Sequence, residues 1–337
     1  MLEELTRKVG SGAALSRDEA QEALGALLEE ATSDIAIACF LTALSVKGET
    51  AQEIAGFAQT MREYSVKLDA PRADLVDTAG TGGGIPSFNV STTAAFVIAG
   101  AGIAVAKHGN RAATSRSGSA DLLEALGVRI DASLETVQRC LDRNGLAFLF
   151  APAFHPAMKR VAGIRRQIPH RTIFNLLGPL TNPAGASFQV IGVFDPQLAA
   201  RIARALHLLG TKRSWVVHSL DGLDEISVRA PTRIAEVTQD GVREFELDPA
   251  DYGFHYRGDA PPESKGGDPD TNALLCLEIL EAKRRDDLSD LVVMNAAAAI
   301  HLAADISLIE ALKQAEVSIS SGSAYRKLQE LIETSTS

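Results

Sequence analysis

Apolar residues recur at helical spacing over residues 17–28, 33–46 and 51–63, and Ser16, Ser33 and Thr50 stand in front of these segments as side-chain caps. No strand-like segment interrupts them, so residues 1 to about 66 read as helices only. From Leu75 the pattern changes. Short apolar runs at 75–76, 103–106, 147–150, 189–194 and 215–217 read as strands followed by helices, and 292–300 reads as a helix. That alternation predicts an α/β region with a mainly parallel central sheet. Between two of the strands, residues 158–183 read as helix and loop, with Gly178-Pro179 and Asn182-Pro183 as stop signals. The expected organisation is a small all-helical domain over residues 1–70, joined by inserted helices near 160–185, and a larger α/β domain from 71–159 and 186–337. Residues 258–270, rich in Gly, Pro and Asp, read as a loop.

Composition adds bounds. A chain of 337 residues with 46% hydrophobic and 23% charged positions has the length of about two domains and an ordinary globular make-up. The longest weakly polar run, 93–106, falls short of the roughly 20 residues that span a bilayer. Residues 1–10 mix Glu3, Glu4, Arg7 and Lys8 without the apolar core of an export signal, so a cytoplasmic location and no membrane partner are expected. Cys39, Cys140 and Cys276 lie far apart in apolar helical contexts, which disfavours a disulfide framework or zinc site and predicts core positions. A net charge of -10 argues against bulk electrostatic binding to nucleic acid.

Chemistry concentrates in a few stretches. After the run at 75–76 comes Gly80-Thr81-Gly82-Gly83-Gly84, and then Asn89 or Ser91 as a cap for a helix from Thr93. Glycines there let backbone N–H groups approach an anion, and a helix N-terminus adds about half a positive charge, so phosphate is the natural occupant. Neither the P-loop nor the dinucleotide glycine spacing is present. Taken alone, the same stretch serves equally as a strand-to-helix turn. Lys107-His108-Gly109-Asn110-Arg111 follows a second strand, and Ser115 to Ser119 leads into a helix beginning near Asp121. These donors would face the crevice at the strands' C-terminal ends, although solvated loops carry such charges too. Asp224-Glu225, after a third strand and an Asp221-Gly222 turn, offers the hard oxygen ligands that hold Mg²⁺ beside a phosphate ester. An isolated acidic dipeptide is a common surface feature; beside a phosphate loop it reads as a metal pair. His155, Lys159, Arg160, Arg165 and Arg166 place cations on a helical segment, either to grip a carboxylate or as a basic helix surface.

In their order along the chain, GTGG, FNVST, KHGNR, SGSADLLEALG, FAPAFHPAMKRV, RTIFNLLGPLTNPA and GLDEIS resemble the anthranilate phosphoribosyltransferase family over nearly the whole chain, with Gly266-Gly267-Asp268-Pro269 and Asn295 to Ala299 extending the match. The resemblance implies the nucleoside phosphorylase/phosphoribosyltransferase fold. It also implies transfer of the ribosyl phosphate of phosphoribosyl pyrophosphate to the amino group of anthranilate, as in tryptophan biosynthesis. In that family, positions matching Gly80, Thr81, Gly82, Gly83, Ser87, Asn89, Ser91, Thr92, Lys107 and Ser119 bind the donor. Those matching Gly80, His108, Asn110, Arg165 and Gly178 contact anthranilate or line its pocket, and those matching Ser91, Asp224 and Glu225 hold Mg²⁺, with two ions per site. No general base is assigned. The family further implies a homodimer through the helical domains and a hinge closure between domains. Alternatives are a pyrimidine nucleoside phosphorylase, usually a longer chain, and a non-catalytic nucleic-acid-binding relative, against which the acidic balance weighs. The chain departs from the family in two places: Gly84 stands where Asp is usual, and Ile168-Pro169-His170 precedes RTIFN where Leu-Gly is frequent.

Overall fold

The computed structural model describes residues 1–69, 74–112, 116–256, 260 and 262–337. Part of the stretch at 258–270 and Ser115 fall outside these residues; Pro262–Lys265 form a 3₁₀ turn, and Pro269 already begins a helix.

Four helices open the chain: α1 (Leu2–Gly10), α2 (Arg17–Leu28), α3 (Asp34–Lys47) and α4 (Ala51–Glu63). Ser16, Ser33 and Thr50 each accept a backbone N–H three residues on, as their spacing predicts, and Ser16 and Thr50 complete capping boxes with Glu19 and Glu53. The apparently featureless first ten residues form α1, which buries Leu2, Leu5 and Val9.

The α/β part follows as β1 (Val76–Gly80), α5 (Val90–Gly100), β2 (Val105–Gly109), α6 (Ser119–Ala125), α7 (Leu134–Asn144) and β3 (Leu146–Phe150). An inserted segment carries α8 (Ala151–Phe154), α9 (Lys159–Arg165) and α10 (Phe174–Leu177). Then come β4 (Phe188–Gly192), α11 (Pro196–Leu208), β5 (Arg213–Ser219), β6 (Thr232–Thr238) and β7 (Gly241–Leu247). Four helices complete the chain: α12 (Pro269–Leu280), α13 (Asp287–Ala304), α14 (Leu308–Ser320) and α15 (Ser323–Thr336).

The strands form one seven-stranded sheet in the order β3-β2-β1-β4-β5-β6-β7. Strands β3 to β5 in this order are parallel, while β6 and β7 add an antiparallel edge that the apolar pattern did not reveal. On one face, α5, α13 and their neighbours build the larger core with Phe96, Ile98 and Met294. Helix α13 is long and apolar enough to cross a bilayer by length and composition, yet 78% of it is buried within the protein. The other face shares a second core with the helical bundle, which joins Phe40 and Phe57 to Val161, Ile173 and Phe174 of the inserted segment and to Ile202 of α11.

The cysteines divide. Cys140 and Cys276 are buried as expected, but Cys39 is exposed on α3. Helix α6 begins two residues ahead of Asp121, because that carboxylate is the third residue of the helix and accepts the N–H groups of Gly118 and Ala112.

Candidate active site

Strand β1 ends at Gly80, and Thr81 N–H donates to the Gly192 carbonyl at the end of neighbouring β4 (2.9 Å), so the glycine loop leaves the sheet at its C-terminal edge. The loop returns through half-buried Ser87 to α5, whose first turn carries Ser91 and buried Thr92. Asn89 occupies the N-cap position but does not cap. Its amide donates instead to the Ser117 carbonyl (3.2 Å) and accepts from Asn272 (2.7 Å), tying α5 to α12 and to the segment before α6. The Val90 N–H donates to the Phe88 carbonyl (2.7 Å), and no side chain caps the N–H groups that follow in the first turn of α5, an arrangement suited to an anion.

Strand β2 lies beside β1 and delivers Lys107, His108 and Asn110 to the same edge. The Lys107 ammonium is buried and donates to the Thr78 carbonyl (2.6 Å) and the Ser91 hydroxyl (3.5 Å). Burial lowers its pKa, opposed by the negative charges of Asp77 and Glu225. Asp77 is fully buried below. Its oxygens accept from His108 N–H (3.1 Å) and the Asn182 amide (2.8 Å), and desolvation pushes its pKa up to about 6. The Ser119 hydroxyl bridges the Asn110 backbone, with oxygen contacts of 3.2 Å to both N–H and carbonyl.

Asp224 and Glu225 enter from the loop after β5. The two carboxylates are not the exposed pair that a surface dipeptide would be: burial raises both pKa values, Glu225 well above its usual range, where the Asp224 charge adds to the rise and Lys107 opposes it. A Cβ on Gly192 would sit 1.7 Å from the Asp224 carbonyl oxygen, so only glycine lets this loop close onto β4. From α13, buried Asn295 clamps the next residue: its oxygen accepts Ile226 N–H (3.0 Å) and its nitrogen donates to the Ile226 carbonyl (3.0 Å). Asn295 thus acquires a structural role in holding the acidic pair.

These residues suit Mg²⁺. Among the described residues no group of three His, Cys, Asp or Glu side chains gathers, so the protein offers two mutually repelling carboxylates and the Ser91 hydroxyl. That donor set matches an ion that takes its remaining ligands from phosphate oxygens and water.

The opposite wall comes from the inserted segment. His108 Nδ1 donates to the Gly178 carbonyl (3.1 Å), which joins two of the expected acceptor positions, and His108 and His155 lie 5.1 Å apart between ring centres. Among the described residues, His108 Nε2 and both ring nitrogens of His155 are buried without hydrogen-bond partners. Desolvation pushes the two imidazoles down to about 3 and about 4, so both are neutral near pH 7. The Arg165 guanidinium at the end of α9 is half-buried, 4.8 Å from the Phe174 ring centre, and no carboxylate of the described residues pairs with it. Sequence reading missed Arg171. Its guanidinium donates to the Gly82 (3.1 Å) and Gly83 (3.2 Å) carbonyls, a role that the RTIFN motif alone does not disclose.

The glycosyl transferase family, helical bundle domain, matches residues 3–65, and the glycosyl transferase family, a/b domain, matches residues 72–325. The chain is 48% identical to the anthranilate phosphoribosyltransferase of Rubrobacter xylanophilus, with 99% of this chain and 98% of the relative covered. It is 49% identical to that of Pelotomaculum thermopropionicum over 99% of this chain and 96% of the relative. Among solved structures, the anthranilate phosphoribosyltransferase of Thermus thermophilus superposes with a TM-score of 0.91 at 42% identity, covering 99% of both chains. The Saccharomyces cerevisiae enzyme in complex with phosphoribosyl pyrophosphate and Mg gives 0.89 at 31% identity, covering 99% of this chain and 98% of that one. These full-length matches set aside the pyrimidine nucleoside phosphorylase alternative, and the chain belongs to the anthranilate phosphoribosyltransferase family.

Proposed function

We propose that this protein transfers the phosphoribosyl group of phosphoribosyl pyrophosphate to the amino group of anthranilate, giving N-(5'-phosphoribosyl)anthranilate and pyrophosphate. The observation that carries this reading is the meeting of three sequence-distant elements: Asp224 Oδ2 lies 3.5 Å from the Cβ position of Gly80, and Lys107 links Ser91 to the field of Glu225. Breaking the anomeric bond develops negative charge on the departing pyrophosphate. The N–H groups of the glycine loop and of α5, together with the Lys107 ammonium, are already arranged to receive it. Asp224, Glu225 and Ser91 would hold Mg²⁺, which would supply further charge neutralisation of the leaving group; two ions per site would accord with a donor carrying several phosphate oxygens. Gly80 to Gly83, Ser87, Asn89, Ser91, Thr92, Lys107 and Ser119 form the donor side in this reading.

Arg165 supplies the acceptor side with a half-buried cation suited to the anthranilate carboxylate, beside Asn110, His108 and Gly178. Neutral His108 and His155 make poor bases at physiological pH, and none is needed: an aromatic amine attacks uncharged and loses its proton readily once bonded. Orientation by Arg165 and Asn110 is the main contribution on this side. Loss of anthranilate fluorescence only when phosphoribosyl pyrophosphate and Mg²⁺ are both present is the expected result. Thymidine or uridine phosphorolysis without anthranilate turnover would overturn the reading.

The domain division at about residue 70, with the insertion returning to the bundle, accords with a second core that runs from residues 2–61 to residues 161–180. A homodimer through the bundle is the assembly we infer. Helix α3 is apolar nearly all round, and its outer side exposes Ile35 (77%), Cys39 and Val46 (82%), a stripe that a second copy would cover. Sedimentation should give a dimer, and Val46→Glu should shift it toward monomer.

A further inference from the structure

The arginine of the RTIFN motif links two parts of the molecule. Arg171 belongs to the inserted segment, and its main chain is moored to the bundle: Ser45 of α3 donates its hydroxyl to the Arg171 carbonyl (2.8 Å), and His170 Nδ1 approaches the same oxygen (2.9 Å). Its side chain leaves the bundle. The guanidinium stacks 3.6 Å from the Phe194 ring centre, just past β4, and spans two successive carbonyls of the glycine loop.

Two consequences are geometric. A trans peptide points its carbonyl and the following N–H in opposite directions. With the Gly82 and Gly83 carbonyls turned toward Arg171, the N–H groups of Gly83 and Gly84 are turned to the opposite side of the loop, as adjacent donors of the kind that cradle an anion. Second, the guanidinium occupies the space where a side chain at position 83 would stand, since a Cβ there would lie 1.4 Å from Nη2. Gly83 also has a φ of +85°, so loop conformation, glycine and arginine specify one another. No carboxylate among the described residues lies within ion-pair distance of Arg171, yet its charge is felt at Asp224.

We propose that Arg171 is a positioning residue for the phosphoribosyl donor: by holding the Gly82 and Gly83 carbonyls it presets the Gly83 and Gly84 N–H groups for pyrophosphate, and it couples that preset to the helical bundle. This rests on the reading that the glycine loop receives pyrophosphate. An arginine suits the task because its planar fork donates to two acceptors at once, which a lysine ammonium on a flexible stem does not reproduce.

The test uses the full-length enzyme with Arg171→Ala and Arg171→Lys, scoring both Michaelis constants, product inhibition by inorganic pyrophosphate, and thermal unfolding. Arg171→Ala should raise the donor Michaelis constant and the pyrophosphate inhibition constant about tenfold or more, the loss expected for charged hydrogen bonds. The anthranilate constant should change less than about twofold and the melting temperature little, as suits an exposed surface contact. Arg171→Lys should recover only a minor part. Unchanged donor and pyrophosphate constants, equal rises for both substrates, or full recovery by lysine would each overturn the proposal; full recovery would reduce Arg171 to a bare charge. Should Arg171→Ala fail to fold, Arg171→Lys carries the same comparison. A wild-type enzyme that neither turns over the donor nor responds to pyrophosphate would refute the underlying reading of the loop, a result distinct from wild-type activity that the variants preserve.

Discussion

The two walls of the cleft are built by opposite means. On the donor wall the polar groups already have partners: Lys107 on the Thr78 carbonyl, Asp77 on His108 N–H and Asn182, and the Gly82 and Gly83 carbonyls on Arg171. On the acceptor wall several do not: among the described residues His108 Nε2 and both nitrogens of His155 are buried without a hydrogen-bond partner, and Arg165 lies against the face of the Phe174 ring with no paired carboxylate. A buried polar group without a partner costs about 1–3 kcal/mol, so a wall that tolerates several is one where a ligand can supply what is missing. The donor wall, by contrast, is prearranged for a charge that appears only during reaction. Substitutions should therefore separate cleanly, donor-wall changes acting on rate and donor binding, acceptor-wall changes on anthranilate.

The largest effect should come from Asp224→Asn with Glu225→Gln. In the proposed site these carboxylates are the hard ligands for Mg²⁺, so removing both should lower turnover by on the order of a hundredfold or more, as for losing a main electrostatic contributor. Anthranilate affinity should hold. Because both carboxylates resist ionisation where they stand, the melting temperature without metal should not fall. Steady-state rates across a Mg²⁺ titration and a thermal melt check this. Undiminished activity at limiting Mg²⁺ would make the pair a passive feature of the loop.

Arg165→Ala should act on the other wall alone. Losing a charge-assisted contact costs about 1.5–3 kcal/mol, roughly ten- to a hundredfold in anthranilate affinity, with the donor constant nearly unchanged. Equal losses for both substrates would show that Arg165 supports the cleft as a whole.

The unpaired histidines predict a pH effect on stability. His155 has a folded pKa of about 4 against 6.5 for a free imidazole, so below about pH 6.5 the unfolded chain binds a proton that the folded one refuses. Stability is then lost as pH falls. From pH 7 to pH 5 the loss attributable to His155 is about 2 kcal/mol. His108, which faces it, acts in the same direction; buried Asp77, with its raised pKa, acts oppositely. Both groups remain in His155→Gln, so this variant should show an acid-induced loss smaller by about 2 kcal/mol in urea unfolding at the two pH values. An identical acid sensitivity would mean that the ring is protonated in place.

What the sequence disclosed follows from how local each signal is. Helices α2 to α4 were legible because Ser16, Ser33 and Thr50 act within one turn, and β3 to β5 because buried parallel strands are rich in apolar runs. Strands β1 and β2 were marked only by the apolar residues at their starts, because Asp77 and Thr78 in the first and Lys107 and His108 in the second interrupt the run. The β6–β7 hairpin was hidden because β7 carries Arg243, Glu244 and Glu246, charges that break up the apolar run of an edge strand. The loops of the proposed donor wall could be picked out from motifs, since each is a short contiguous stretch. Arg171 and Asn295 could not, because the carbonyls of Gly82 and Gly83 lie 89 and 88 residues from the first, and Ile226 lies 69 residues from the second. Only the fold reveals such partners.

The smallest effect concerns Gly84, where the family usually carries Asp. Two roles are open to a glycine here: a positive φ in the turn, or the absence of a carboxylate. The positive φ angles belong to Gly82 and Gly83 and not to Gly84, so backbone freedom is not its reason. A Cβ there would meet Asp224 Oδ1 at 3.0 Å, which places any aspartate at this position directly against the carboxylate pair. Like charges so close bind cations more strongly together than apart, and one of the groups must shift by a few tenths of an ångström to make room. Gly84→Asp should therefore retain Mg²⁺ more tightly, lower the donor Michaelis constant about two- to fivefold, and introduce inhibition at millimolar free Mg²⁺ that the unmutated enzyme lacks. Anthranilate binding on the opposite wall should not respond. Rates and both Michaelis constants over a Mg²⁺ titration decide the matter: strong metal inhibition in the unmutated enzyme, or a weakened donor in the variant, would show that glycine serves this turn by leaving space for Asp224 rather than by withholding a charge.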